Sequence, residues 1–234
     1  MHETHVPVIA VDGPGGTGKG TLSRHLASLL DWHILDSGAL YRALAIAAAR
    51  RNIVLNDDRR LAAIAADLEV MFPGYTEEGE VSVILEGDDA SQMIRSESCA
   101  RDASRVAEYP LVRKALLGRQ KAFRQPPGLV ADGRDMGTVV FPDADVKIFL
   151  IASQAERAAR RHKQLKQKGI DVNLGQLLAD IAERDSRDSQ RTVSPLKPAP
   201  DAIVVDTTGV DIAAMVEHVG GVVRERLPAY SALF

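Results

Sequence analysis

The chain has 234 residues, of which 45% are hydrophobic and 26% are charged, and its formal net charge is −3. These values are typical of a globular protein and exclude a disordered chain or a fibrous repeat. They also exclude a membrane-spanning protein, because the longest apolar run, Ala43 to Ala49, is far shorter than the ~20 residues that a spanning helix needs.

The number of cysteines and the N-terminal residues indicate the cellular compartment in which the protein is expected. Cys99 is the only cysteine, so the chain can build neither an internal disulfide nor a thiolate metal cluster. No lysine or arginine precedes the first apolar stretch, Val6 to Val11, so we expect no export signal. The acidic balance gives no global field for a nucleic acid. We therefore expect a cytoplasmic protein with neither a nucleic-acid nor a membrane partner.

The first predicted unit is a strand, a loop and a helix. Val6 to Val11 is an almost continuous apolar run, typical of a strand buried on both faces of a parallel sheet. After a glycine-rich turn, leucines at helical spacing predict a helix over Lys19 to Leu30. Trp32 to Leu35 is predicted to be a second strand, and the cap residues Asp36–Ser37 precede an alanine-rich helix over Ala39 to Arg51.

The next part of the chain is too long for one crossover connection, so residues 38–127 are predicted to be an elaborated insertion at the carboxyl edge of the sheet. Its apolar patterns and its glycine- and glutamate-rich stretch predict one helix, a β-hairpin and two more helices. In order, these are Asn56 to Asp67, the strands Leu68 to Phe72 and Val81 to Leu85 joined by Pro73 to Glu80, Ser96 to Ala107, and Pro110 to Arg124.

Three further apolar runs complete the pattern. Leu129 to Ala131, Val146 to Ala152 and Ala202 to Val205 are predicted strands separated by helical segments. Alternation of this kind predicts an α/β fold with a doubly wound parallel sheet and right-handed crossovers. Residues 1–234 are therefore expected to form a single domain.

The motif that carries chemistry lies between the first strand and the first helix. Its backbone N–H groups can surround a phosphate chain, the helix N-terminus adds partial positive charge, and its lysine neutralises phosphate oxygens. It matches the Gly-x4-Gly-Lys part of the P-loop pattern, except that Gly20 stands where Ser or Thr usually follows the lysine and Thr21 comes one residue later. The motif is Gly13, Pro14, Gly15, Gly16, Thr17, Gly18, Lys19, Gly20, Thr21.

Charge is concentrated later in the chain. Between Arg157 and Arg191 there are nine basic residues against five acidic ones. Such a segment on an acidic chain favours a small anionic ligand held at one place, although a solvated helical face with scattered ion pairs has the same pattern.

Three more blocks accompany the P-loop in order along the chain: 36–42 (DSGALYR), 131–138 (ADGRDMGT) and 183–188 (ERDSRD). Together the four blocks resemble the bacterial cytidylate kinases, which belong to the nucleoside monophosphate kinases. The absence of an Asn-Lys-x-Asp motif weighs against signalling GTPases. The resemblance implies a P-loop kinase with a central five-stranded parallel sheet flanked by helices, a monophosphate-binding region at 38–127 with an inserted hairpin, and a lid region with its following helix at 153–192.

The resemblance also implies an activity: transfer of the γ-phosphoryl group of ATP to CMP or dCMP, with Mg²⁺. We expect the protein to be a monomer. The resemblance places ATP on residues 13–21, with Arg157 and Arg161 of the lid. It assigns Lys19, Arg134 and Arg191 to catalysis, and Mg²⁺, held largely through water, to Thr21 and Asp132.

For the acceptor, the resemblance implies contacts that spacing alone leaves open. From the pattern alone Arg42 is equally a solvated helix arginine, Ser104 and Arg113 are surface residues, and Asp132 is equally a turn cap. Arg184, Asp188 and Arg191, at i, i+4 and i+7 of a predicted helix, share a face and are equally an ion-pair set. The resemblance instead places phosphate, cytosine and pentose on Ser37, Arg42, Ser104, Arg113, Arg134, Asp135, Arg184, Asp188 and Arg191.

Two alternatives stay open at this point. A kinase of another small acceptor, such as UMP, AMP or a metabolite like shikimate, would share the P-loop and the lid but not the set Ser104, Arg113 and Asp135. A P-loop regulatory module that binds ATP without transferring its phosphate would lack an acceptor pocket.

Overall fold

The structure is a computed structural model that describes residues 5–75 and 81–233. In chain order its strands and helices are β1 Val8–Asp12, α1 Lys19–Leu30, β2 His33–Asp36, α2 Ser37–Arg50, α3 Asp58–Ala66, β3 Val70–Tyr75, β4 Val81–Leu85, β5 Asp88–Asp89, α4 Glu97–Val106, α5 Pro110–Lys121, β6 Leu129–Gly133, β7 Val146–Ile151, α6 Gln154–Gln167, α7 Leu174–Gln190, β8 Ile203–Asp206 and α8 Ile212–Arg226.

The chain divides into two compact units. The described residues of Met1–Asp36 and Lys121–Phe234 form the first, here called the sheet unit, and Ser37–Gln120 form the second, here called the inserted unit. No helix of the described residues is both long and apolar enough to cross a membrane.

The sheet unit contains five parallel strands in the order β2-β6-β1-β7-β8, which confirms the predicted central sheet. All five residues of β1 are buried, because this strand is central and covered on both faces. Helices α1 and α8 pack together, and Leu22, Leu26 and Val219, all fully buried, belong to the core that they share with the sheet. Parallel strands that run the same way bring their carboxyl ends, and the loops that follow them, to one edge.

The inserted unit has its own apolar core. Helix α2 supplies its alanine-rich face to this core, and fully buried residues of α3, β4 and α5 surround it, among them Leu61, Val83 and Leu116. Strands β3, β4 and β5 form a small antiparallel sheet, so the two strands of the predicted hairpin are confirmed. The middle of the predicted connection, residues 76–80, lies outside the described residues.

Several boundaries differ from the sequence predictions. Helix α2 begins at Ser37 directly after β2 rather than at Ala39, so Asp36 ends a strand instead of capping a helix. Strand β6 extends past the apolar run to include Asp132 and Gly133, because both pair in register with β1. Helix α7 ends at Gln190, so Arg191 follows the helix in an extended conformation and is not part of it.

Candidate phosphate and nucleotide site

The glycine-rich loop leads from β1 into α1, and two of its glycines have a clear steric reason. Gly13 has φ +141°, and a Cβ there would lie 2.1 Å from the carbonyl oxygen of Leu150. Gly16 has φ +83°, and a Cβ there would lie 3.0 Å from Cβ of Arg157. A side chain at either position would push the loop away from its neighbours. The loop is therefore held close to the sheet and free of side chains at these two positions.

Lys19 begins α1 and is buried. Its Nζ donates to the Pro14 carbonyl oxygen at 2.9 Å, so the side chain curls back over the loop. Burial, followed by the positive charges of Arg134 and Arg184, lowers the pKa of Lys19 to about 7, although Asp132 and Asp12 act in the opposite direction. An anion placed beside this ammonium would restore its charge.

Two arginines of the sheet unit contact one carboxylate, and a third, Arg184, lies close enough to help lower the pKa of that carboxylate. Asp188 of α7 accepts from Nε of Arg134 at 3.0 Å and lies 3.3 Å from a guanidinium nitrogen of Arg191. The position that a side chain at Gly15 would occupy lies 3.6 Å from an Arg134 nitrogen and 3.7 Å from an Arg184 nitrogen. One carboxylate cannot neutralise all of these guanidiniums, so Arg134 and Arg184 leave an excess of positive charge beside the loop, which suits a phosphate group.

Carboxylates lie at or next to the carboxyl ends of three neighbouring strands. Asp36 of β2 and Asp132 of β6 are partners in register. Burial raises the pKa of Asp132 to about 6, and Asp36 adds to the rise, while Lys19 opposes it. One Asp132 carboxylate oxygen lies 3.5 Å from the Cβ position at Gly20, so it is beside the loop. The third carboxylate, Asp12 of β1, is 5% exposed and accepts from the backbone N–H groups of Met136 and Gly137, both at 2.8 Å.

Asp135 lies two residues after β6, at the start of a short π-helical turn, Met136–Val140, here called the π turn. Its side chain is buried, at 3% exposure, and its carbonyl oxygen accepts from Val139 N at 2.9 Å. Arg134 and Asp135 therefore occupy the short connection between the end of β6 and the π turn.

The two predicted lid arginines have different surroundings. Arg157 of α6 is buried, donates to the Gly15 carbonyl oxygen at 3.1 Å, and forms a bidentate pair with Asp185 of α7. It therefore ties both helices to the loop. Arg161, one turn later, is half-buried and donates to Gln164 at 3.4 Å.

The inserted unit holds the other predicted residues on α2, α4 and α5. Arg113 is 8% exposed, its guanidinium lies 5.7 Å from the ring centre of Tyr41, and it donates to the Ala107 carbonyl oxygen at 3.0 Å. Ser104 is 5% exposed, so the surface location that the pattern alone suggests for both residues is wrong. These side chains lie at the faces where the helices pack. Arg42 is half-buried and donates to Ile94 O at 3.3 Å.

Sequence reasoning missed three residues of these surroundings. Gln120 is buried and donates to the hydroxyl of Ser37 at 2.8 Å, and Tyr41 carries the cation–π contact. Asp12 is the third. Gln120 stands seven residues after Arg113, which places both on one face of α5, and Asp12 ends an apolar strand as Asp132 does. The sequence alone could therefore have indicated both Gln120 and Asp12 as candidate site residues.

Among the described residues, no group of three or more histidine, cysteine, aspartate or glutamate side chains is arranged to hold a metal ion. A divalent ion here would take most of its ligands from water and from a bound phosphate chain, which is the usual coordination of Mg²⁺.

Comparison with known proteins gives one family. The family model described as cytidylate kinase matches residues 9–225. The cytidylate kinase of Aeromonas hydrophila is 58% identical over 206 residues, covering 88% of this chain and 89% of that protein. That of Yersinia enterocolitica is 56% identical and covers 91% of each chain. That of Shewanella loihica is 53% identical over 222 residues, covering 95% of this chain and 96% of that protein.

Proposed function

The chain belongs to the cytidylate kinase family, and we propose that it transfers the γ-phosphoryl group of ATP to CMP or dCMP with the residues of the glycine-rich loop and the arginine cluster. It is an ATP-dependent phosphotransferase of pyrimidine nucleotides. The observation that carries the assignment of residues is the convergence of Lys19, Arg134 and Arg184 around the loop. Kinases of AMP, of UMP alone or of another metabolite are not favoured by this family membership.

Phosphoryl transfer requires little covalent chemistry from the protein, because positioning and charge neutralisation dominate. We assign the ATP phosphates to residues 13–21 and catalysis to Lys19, Arg134 and Arg191. The acceptor phosphate is already anionic near neutral pH, so no side-chain base is needed. Arg157 and Arg161 complete the ATP site in this proposal, with Arg157 acting through the Gly15 carbonyl group that it already contacts.

Mg²⁺ fits the residues at the edge of the sheet. Asp132 would hold it through water, and Thr21, which now accepts from Arg24 at 3.4 Å, carries the first hydroxyl after the loop lysine. When bound, the ion would neutralise charge on the phosphate chain. Below pH 6 the raised pKa of Asp132 would leave this carboxyl largely protonated and poor at holding a cation.

The acceptor residues are assigned one by one. Arg42 and Arg134 would contact the CMP phosphate, with Ser37 as a neighbour in that site. Arg191 would also contact phosphate, and Arg184 and Asp188 would contact the pentose. Ser104, Arg113 and Asp135 would contact the cytosine ring. We propose that residues 38–127 form the monophosphate-binding region, that 153–192 comprise the lid region and its following helix, and that the lid closes over ATP. We also propose that the protein is a cytoplasmic monomer without a nucleic-acid partner.

The experiment that tests base choice uses Asp135. The cytosine amino group donates a hydrogen bond where uracil has a carbonyl, so a carboxylate favours cytosine. Asp135→Asn replaces one acceptor oxygen with a donor of similar shape. We expect kcat/KM for CMP to fall far more than that for UMP, so that their ratio narrows by roughly tenfold, the scale of one charged hydrogen bond. A coupled ADP-release assay with CMP, dCMP, UMP and AMP measures it.

The matched control is Asp143→Asn. Asp143 follows the π turn closely in sequence, but its carboxylate is exposed and pairs with Arg124. Its CMP-to-UMP ratio should equal that of the parent. If Asp135→Asn still strongly prefers CMP over UMP, residues other than Asp135 select the base. Equal use of AMP and CMP by the parent would contradict the proposed function itself.

ATP binding should also be linked to proton uptake. The pKa of Lys19 is about 7 before phosphate binds, mainly because of burial and the nearby Arg134. Phosphate oxygens stabilise the ammonium and raise this pKa, so at pH 8 binding should take up a proton, and below pH 6 the uptake should vanish. Calorimetry without Mg²⁺, in two buffers of different ionisation enthalpy, measures the number of protons. Undiminished uptake in Lys19→Met would contradict this origin.

A further inference from the structure

We propose that Asp12 is a positioning residue for base recognition, whose carboxylate holds the π turn and thereby fixes Asp135 toward the cytosine amino group. This inference rests on the proposed function of Asp135 as the residue that accepts from that amino group. Asp12 itself needs no contact with the substrate.

The geometry places Asp135 between two fixed points. On one side, Gly133 pairs in register with Asp12 in the parallel ladder of β6 and β1. On the other side, the two Asp12 carboxylate oxygens accept separately from Met136 N and Gly137 N, each at 2.8 Å. Only Arg134 and Asp135 lie between these anchors. The backbone that carries both side chains is therefore pinned at each end by the same residue of β1.

Packing shows why the turn needs this anchor. A Cβ at Gly137 would lie 3.2 Å from the side chain of Lys147 and 3.5 Å from Cβ of Ala10, so the turn lies close against the sheet. The N–H groups of Met136 and Gly137 begin a helical turn and have no carbonyl partner within it. Each of the two carboxylate oxygens of Asp12 accepts from one of these N–H groups, whereas an amide at this position would turn its own N–H₂ donor toward one of them.

An ionised Asp12 would be unfavourable in its buried position without the two hydrogen bonds from the π turn. Asp12 is 5% exposed, and burial raises its pKa to about 7 although both backbone donors, and more weakly Lys19, favour the ionised form. A buried carboxylate is tolerated when hydrogen bonds replace its hydration. A role in holding a recognition segment accounts for an ionisable residue at the end of a strand whose four preceding residues are all apolar.

Asp12 also precedes Gly13, so its substitution could disturb the ATP loop instead of the π turn. The two effects can be distinguished by kinetics. Displacement of Asp135 raises KM for CMP and lowers the ratio of kcat/KM for CMP to that for UMP. A disturbed loop raises KM for ATP and leaves that ratio unchanged. Small displacements of a positioned group are enough to change rates measurably.

The experiment is a double-mutant cycle of Asp12→Asn and Asp135→Asn, read as the ratio of kcat/KM for CMP to that for UMP. Asp12→Asn keeps one acceptor and turns an N–H₂ group toward a backbone N–H. We expect it to narrow the ratio by about threefold to tenfold, the loss of part of one charged hydrogen bond, with KM for ATP within about twofold of the parent. The double variant should have the ratio of Asp135→Asn alone, because residues that act through one another are not additive.

The matched control is Asp145→Asn. The Asp145 carboxylate accepts from the backbone N–H of Val8 at 2.8 Å. This is also a bond between a carboxylate and a backbone amide, but it lies at the opposite end of β1 from Asp12. Its ratio should stay at the parental value. Because the ratio compares two substrates in one preparation, it does not depend on the fraction of folded enzyme. If Asp12→Asn yields no active protein, Asp12→Ser, which keeps a hydroxyl acceptor, takes its place.

An unchanged ratio in the Asp12 variant, effects that multiply in the double variant, or a rise in KM for ATP as large as that for CMP would each overturn the role of Asp12. These results leave the assignment of Asp135 intact as long as Asp135→Asn alone narrows the ratio. An unchanged ratio in Asp135→Asn would overturn the assignment of Asp135 and this inference with it.

Discussion

Lys19→Met should reduce kcat for CMP phosphorylation by about 10³-fold, on the order of 4 kcal/mol of lost transition-state stabilisation. Lys19 lies beside the glycine-rich loop, where its Nζ donates to the Pro14 carbonyl oxygen and is surrounded by the charges of Arg134, Asp132 and Arg184. A phosphate chain would offer it stronger acceptors. Methionine keeps the apolar stem of the side chain, so the variant removes the charge with little change in packing.

Stability provides the first check on this result. Burial disfavours the Lys19 ammonium, as its lowered pKa shows, so removing the charge should not lower Tm. The matched control is Lys147→Met on β7. Lys147 is also buried and also donates to a carbonyl oxygen, that of Pro142 at 2.7 Å, but it pairs with Asp201 away from the loop. Its kcat should remain within about threefold of the parent. Near-normal kcat in Lys19→Met would remove the loop lysine from the mechanism.

The elements of the sheet unit were predictable because their patterns are local. The leucines of α1 repeat at helical spacing, and the helix spans Lys19–Leu30 as predicted. The first four residues of the buried strand β1 are all apolar, so the strand is visible in the sequence as an apolar run that ends at Asp12. Patterns of this kind depend on which face of an element is buried, and that requirement is written into neighbouring residues.

The details of the site were less predictable, because they depend on contacts distant in sequence. Asp12 accepts from amides 124 and 125 residues away, and no local pattern announces that pairing. Arg157 was expected only as a ligand of ATP, yet its guanidinium donates to a loop carbonyl and pairs with Asp185. The two-residue strand β5 has too few residues for any periodicity to be detected. Resemblance supplied the substrate roles, which periodicity cannot supply.

The second large effect is expected at Asp188. This carboxylate is buried, and although burial opposes its ionisation, Arg134 and Arg191 hold its pKa below the usual value. Asp188→Ala would leave two guanidiniums facing one another without their shared acceptor, and loss of one partner of a buried ion pair is costly. We expect kcat/KM for CMP and for dCMP to fall by about 10²-fold each, since both sugars keep a 3′-hydroxyl and both acceptors need the arginines in place.

The loss of activity in Asp188 variants could come from a disturbed structure or from a lost contact to the sugar, and Tm together with kinetics distinguishes the two. Asp188→Asn keeps the shape of the side chain and one acceptor for Arg134 but removes the charge, so its Tm should fall less than that of Asp188→Ala while kcat/KM still falls about tenfold. If the carboxylate also accepts from the 2′-hydroxyl, CMP will lose more than dCMP, and the CMP-to-dCMP ratio will change in Asp188→Asn. Glu183→Gln is the matched control on the same helix, because Glu183 forms an exposed pair with Arg187, and exposed pairs contribute little. Parental kinetics in Asp188→Asn with both substrates would reduce Asp188 to an ion-pair partner of Arg134.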